Sequence, residues 1–169
     1  MNEDSDDFKS LSLQAIETLG RGFGLILRAA ILPFGVSVAA VVMARWLGGM
    51  ERYLFDALHG AMVISYLTSL SRIAQGTYPG PGVLTFGVPR PTWPGWTITK
   101  SILAEILVVI VPGAFIMWMI AINVGPFVMA IGSTVVSVAA MLLVEFLFTT
   151  IIGLILGAGM AKFERDGAA

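Results

Sequence analysis

The sequence predicts an all-α integral membrane protein, with about four transmembrane helices preceded by an N-terminal amphipathic helix. Three observations carry that expectation. Apolar residues fill 57% of the 169 positions and charged residues only 12%, about half the charged share of an ordinary soluble domain. Mean hydropathy is +0.88. Charge-free runs also recur at bilayer length: none lies between Arg28 and Arg45, and Glu145 is the sole charge in 125–161. So few polar groups cannot clothe this chain in water, which makes lipid the expected solvent.

Three parts follow: an acidic, amphipathic segment over 1–22, one helical membrane domain over 23–162, and a tail over 163–169. In the first part, Phe8, Leu11, Ala15, Ile16 and Leu19 recur at helical spacing, with Asp6, Asp7 and Glu17 off that face. Such a helix is expected to lie along a membrane surface, with Gly20, Gly22 and Gly24 loosening the chain after it. The start, "MNEDSDDFK", is acidic where a secretory signal needs a basic region, so the apolar segments are expected to be retained as anchors.

The spans are expected at 23–47, 53–73, 101–122 and 133–162. The first carries Pro33, a tolerable kink in lipid, and ends on the interfacial pair Arg45 and Trp46. The second is less apolar, holding Asp56, His59 and several hydroxyls, and either crosses or lies in the interface. If it crosses, with the amino terminus cytoplasmic, Lys9, Arg21, Arg28, Arg72, Arg90, Lys100, Lys162 and Arg165 fall inside. Only Arg45 and Arg52 then lie outside, the arrangement the positive-inside rule favours. Pro112 and Gly113 are expected to bend the third span, and "INVGP" to end it. As one helix, 125–161 would run about 56 Å, more than a bilayer core needs. A short re-entrant or interfacial piece before Gly132, then one long tilted helix, is therefore expected. Both termini are placed in the cytoplasm.

Between the second and third spans, 75–100 holds five of the eight prolines and two of the four tryptophans. Repeated proline forbids a continuous helix. Tyr78, Trp93, Trp96 and Arg90 form a candidate belt at headgroup depth, or a docking strap, since such residues dominate binding hot spots.

Glu145 is the conspicuous polar group of the last span, with Thr149 a turn on and Tyr66 and Ser69 of the second span as candidate partners. Two roles fit: a proton or cation relay, or a hydrogen-bonded Glu joining helices. Arg52, Asp56 and His59 share a face and are expected to form a salt-bridged helix start, the third ligand of a metal site being absent from that motif. Glu105 is expected to snorkel to the headgroups with no special role. Ser133, Thr134 and Ser137 either line a polar cavity or bond their own backbone. Gly153 and Gly157, four apart, are a candidate helix-packing face.

A net charge of −1 argues against nucleic-acid binding. No cysteine and one histidine exclude disulfides, thiolate nucleophiles, bis-His haem and three-His zinc. No nucleophile–base–orienter set is legible, and neither cofactor nor metal is expected. "GLILRAAILPFGVSVAA" followed by "SLSRIAQGTYPG" resembles the opening half of small uncharacterised multi-pass bacterial inner-membrane proteins, over about the first hundred residues. That resemblance implies location alone. The expected role is a non-enzymatic accessory or structural subunit, or a scaffold, whose partners are the lipid bilayer and other membrane subunits or further copies of itself. The alternative is a transporter or channel component using Glu145.

Overall fold

The computed structural model describes residues 3–47, 49–80, 103, 105–129 and 134–166. Among these the chain is helical, with no strand: α1 is Glu3–Trp46, α2 is Glu51–Ala74, α3 is Val111–Met129 and α4 is Thr134–Asp166, with a π-helical turn, Ile106–Ile110, leading into α3. The helices alternate in direction. Gly22 of α1 lies against Ile73 near the end of α2, and Gly113 near the start of α3 lies against Leu67. α4 runs parallel to α2, because Gly153 meets Leu67 and Leu70 while Gly157, one turn on, meets Ser71 and Ala74. α2 and α4 form the centre, with α1 on one flank and α3 on the other.

α1 differs from its expected form. The amphipathic segment and first span are one unbroken helix of 44 residues, passing Gly20, Gly22, Gly24 and Pro33. Its contacts explain the continuity. Ala15, Ile26, Ala29, Ser37, Ala40 and Ala44 are buried at spacings of three and four, with Gly22 and Pro33 on the same seam. Mostly small side chains let α1 approach its neighbours closely. Residues 3–21 continue past the end of α2 by about 28 Å rather than turning along a surface. There Ala15 is buried, with Leu19, Ala74 and Tyr78 packed on its cluster. Ile16, read on the same apolar face as Ala15, is 64% exposed.

α2 ends in a Schellman motif. Gly76 takes φ +70, its N–H donates to the Ile73 carbonyl, and the Thr77 N–H donates to the Arg72 carbonyl. α3 departs twice from expectation. Its irregularity falls one turn before Pro112, at Ile106–Ile110, because proline's ring crowds the turn preceding it. It also runs through "INVGP" and Pro126 to Met129. Breaking the helix there would strand several backbone groups, whereas keeping Pro126 forfeits one bond. The expected separate piece before Gly132 is thus partly α3; residues 130–133 lie outside the described residues. The last span is one helix, as expected.

Two of these helices are long and apolar enough to cross a membrane, over Lys9–Ala44 and Val136–Lys162. Large apolar side chains crowd the exterior as well as the interior, and several polar ones are buried. Phe23, Ile31, Phe115, Trp118, Leu143 and Leu147 point outward, while Ser37, Thr68, Ser71, Arg72, Glu105 and Thr149 are almost wholly inside.

The glycines of α4 give the sharpest packing test. A Cβ on Gly157 would fall 2.5 Å from the Ser71 carbonyl oxygen and 2.6 Å from its Cα, with no flexible side-chain end to give way, whereas one on Gly159 meets nothing within 4 Å. Gly157→Val is expected to destabilise the chain by about 1–3 kcal/mol, the range for overpacking, while Gly159→Ala leaves stability within about 0.5 kcal/mol. Detergent-titrated unfolding of the two variants measures the difference.

Candidate functional site

The polar interior is built along the α2–α4 contact and at its two ends. In the middle, Ser65–Ile73 of α2 are all buried. Hydroxyls there satisfy themselves locally: Thr68 Oγ1 and Ser69 Oγ donate to the Ser65 carbonyl at 3.0 and 2.8 Å. On α4, Thr149 Oγ1 donates to the Glu145 carbonyl and Thr150 Oγ1 to the Phe146 carbonyl, both at 2.7 Å. With the Thr150 hydrogen so engaged, Tyr66 donates its O–H to Thr150 Oγ1 at 2.9 Å. The Tyr66 ring stacks on Phe146, centroids 5.1 Å apart, and Phe34 of α1 meets Phe146 edge-on at 4.8 Å. Three helices are thereby joined by one aromatic cluster.

Toward the α1–α2 turn, His59 Nε2 lies 3.1 Å from Glu145 Oε2, each side chain about one-fifth exposed. The expected site is brought together only in part. Glu145 does lie on the inward side, but its carboxylate meets His59 rather than Tyr66 or Ser69. Tyr66 sits seven residues beyond His59, about 10 Å along α2, and Ser69 bonds its own backbone. Arg52 and Asp56 pair on the exposed helix start, 3.6 Å apart, as expected, and His59 turns away from them to α4.

At the opposite end stands a pair that reading residue by residue did not find. Arg72 Nε donates to Glu105 Oε1 at 3.2 Å and Arg72 Nη2 to Oε2 at 3.1 Å, both side chains at most 2% exposed. Glu105 is therefore no snorkelling residue. Its partner was legible in principle, since Glu105 is the sole acidic residue between Asp56 and Glu145 and so the first acid that follows Arg72 along the chain. The fork-to-fork geometry suits a desolvated pair and ties the end of α2 to the start of the π-helical turn.

Ser137 is buried and its Oγ has no partner, as is Ser37 of α1; Ser137 does not bond its own backbone, and Ser133 lies outside the described residues. Of the aromatic belt, Tyr78 packs on the core, where burial pushes its phenol above the ordinary value. Arg90, Trp93 and Trp96 lie outside the described residues. Gly153 and Gly157 are consumed within the chain by α2. Among the described residues no three His, Asp or Glu side chains gather as a metal site. The chain matches no protein-family model, no curated protein and no solved structure.

The buried ion pair makes a strong prediction. Arg72→Met or Glu105→Leu alone leaves an uncompensated buried charge and is expected to cost about 3–5 kcal/mol, while the double substitution recovers most of that loss. A double-mutant cycle on unfolding in detergent reads the coupling; additive losses would deny the pair.

Proposed function

We propose that this chain is a four-span integral membrane protein, non-enzymatic, acting as an accessory or structural subunit or scaffold of a membrane assembly. The apolar exterior around buried polar groups carries the reading. Outward Phe115, Trp118, Leu143 and Leu147 against inward Arg72, Glu105, Ser71 and Thr149 is the arrangement that lipid rewards and water penalises. The interior polar groups are spent mainly on helix-to-helix and helix-to-backbone bonds, which suits a rigid packing element. The outer faces of α1 and α3 supply broad apolar surface for lipid or for neighbouring membrane helices.

α2, less apolar than α1 and α4, crosses beside them because its polar groups face α4 and the Arg72–Glu105 pair rather than lipid. Its span is supported by its packing between the other helices. Arg28, exposed on α1, lies about 9 Å inside the level of Gly22. A helical side chain leans toward its own N-terminus, so Arg28 reaches headgroups on the side where α1 begins. That side, shared by the start of α1, the 75–100 connection and the end of α4, is the cytoplasmic one by the positive-inside rule. The bacterial inner membrane is the location that the resemblance of the opening half suggests.

A second reading, a transporter or channel component, draws on the His59–Glu145 pair, an ionisable couple well inside two spanning helices.

Because the chain has no cysteine, single thiols report topology cleanly. Met50→Cys, in the exposed α1–α2 turn, is expected to react with a membrane-impermeant maleimide on intact cells. Pro79→Cys is expected to react only after permeabilisation. The opposite pattern at either position rejects the orientation. An accessory role further predicts that the chain purified in mild detergent carries another membrane protein at fixed stoichiometry; recovery of the chain alone counts against it.

A further inference from the structure

We propose that the His59–Glu145 pair is a proton-binding site, screened by aromatic rings from the Arg72 end of the bundle. The inference rests on the four-span reading and adds a ligand to it. His59 Nε2 and Glu145 Oε2, at 3.1 Å, hold one exchangeable proton between an imidazole and a carboxylate, two groups whose ionisation can be balanced by small changes of environment. Binding and release move that proton alone: the pair is neutral overall when it holds the proton and carries one negative charge when it does not.

Three polar atoms without hydrogen-bond partners lie at the same end of the bundle: Ser137 Oγ, Ser37 Oγ and His59 Nδ1. Ser37 is 0% and Ser137 2% exposed. Ser137 precedes Glu145 by eight residues, about 12 Å along α4 toward the turn end. The antiparallel register of Gly22 against Ile73 and Phe34 against Phe146 brings Ser37 to within about one turn of the level of His59. Hydroxyls deep in a helical bundle ordinarily bond their own backbone, as Thr149 and Thr150 do. These two instead present free hydrogen-bonding capacity inside the bundle, Ser37 near the level of the pair and Ser137 toward the turn. Immediately beyond Glu145, the Phe34–Phe146–Tyr66 cluster puts aromatic rings between the pair and the other end.

The charged surroundings are simple. On α2 itself, Glu51, Arg52 and Asp56 lie toward the helix start, the last two paired with each other. α4 contributes Glu145. α1 has no charge between Arg28 and Arg45, and α3 has none from Val111 to Met129. Glu145 is therefore the group positioned to govern the proton on His59.

A single histidine in the chain makes the test direct. The tag-free protein, labelled at histidine with ¹³C and ¹⁵N, is placed in lipid nanodiscs and its imidazole signals are followed from about pH 4 to about pH 9. The site predicts one reversible titration. Glu145→Gln is expected to move its midpoint by at least about one pH unit, a tenfold change in proton affinity, and Asp56→Asn by less than half of that. A wild-type imidazole that does not change across the range overturns the proposal, whatever the variants do. So does a midpoint that Glu145→Gln leaves in place or that Asp56→Asn moves more. Co-elution of chain and lipid reads insertion separately, so failure of the membrane reading is told apart from failure of the proton site.

Discussion

Most of the polar side chains buried among these helices are satisfied by another part of the chain. From that pairing most of the architecture follows. Arg72 and Glu105, brought from separate segments, pair inside the bundle at 3.1 Å. Tyr66 reaches Thr150 across the α2–α4 contact, and the hydroxyls of Thr68, Ser69 and Thr149 fold back on carbonyls of their own helices. Such bonds matter more where dielectric is low and the alternative is an unpaired group.

Close approach of α2 and α4 makes these bonds possible. Glycine at 153 and 157 removes the side chain where α4 rests on the α2 backbone, and the polar partners then fall within reach on either side. α1 joins by a seam of small residues and by Phe34. α3 joins by Gly113 receiving Leu67 and by the Glu105 anchor ahead of it. The π-helical turn between Glu105 and Pro112 absorbs proline's steric demand without moving that anchor. A rigid α2–α4 core with apolar flanks is the physical content of the scaffold reading, and the His59–Glu145 pair is the place where that core retains ionisable freedom.

Much of this was legible in the amino-acid sequence, and the remainder failed for identifiable reasons. Helices near 53–73 and 133–162 follow from hydropathy and from the turn signals around them. Glycine-rich stretches misled: Gly20, Gly22 and Gly24 suggest a loosened chain, yet the helix runs through all three, with Gly22 against Ile73 and the other two on its open side. Local propensity yields there to tertiary packing. Pro126 misled for the related reason that a helix in an apolar setting gives up one bond sooner than several. Glu145 stood out as an isolated carboxylate, but which of Tyr66, Ser69 and His59 it faces depends on the parallel register of α2 and α4, and periodicity within one helix says nothing of register between two. Glu105 was assigned to the headgroups because it sits near Lys100 in sequence, whereas its partner is 33 residues away.

The central claim is that the apolar exterior faces acyl chains. Nitroxide labels attached to single cysteines placed in turn at 143–154 of α4 address it most directly, read by relaxation with oxygen, which concentrates in lipid, and with a water-soluble nickel chelate. The account predicts oxygen maxima at Leu143, Leu147 and Ile151, the outward positions, recurring with helical period while nickel contact stays low throughout. High nickel contact at those three positions would mean that water covers the exterior, and the membrane account would be contradicted.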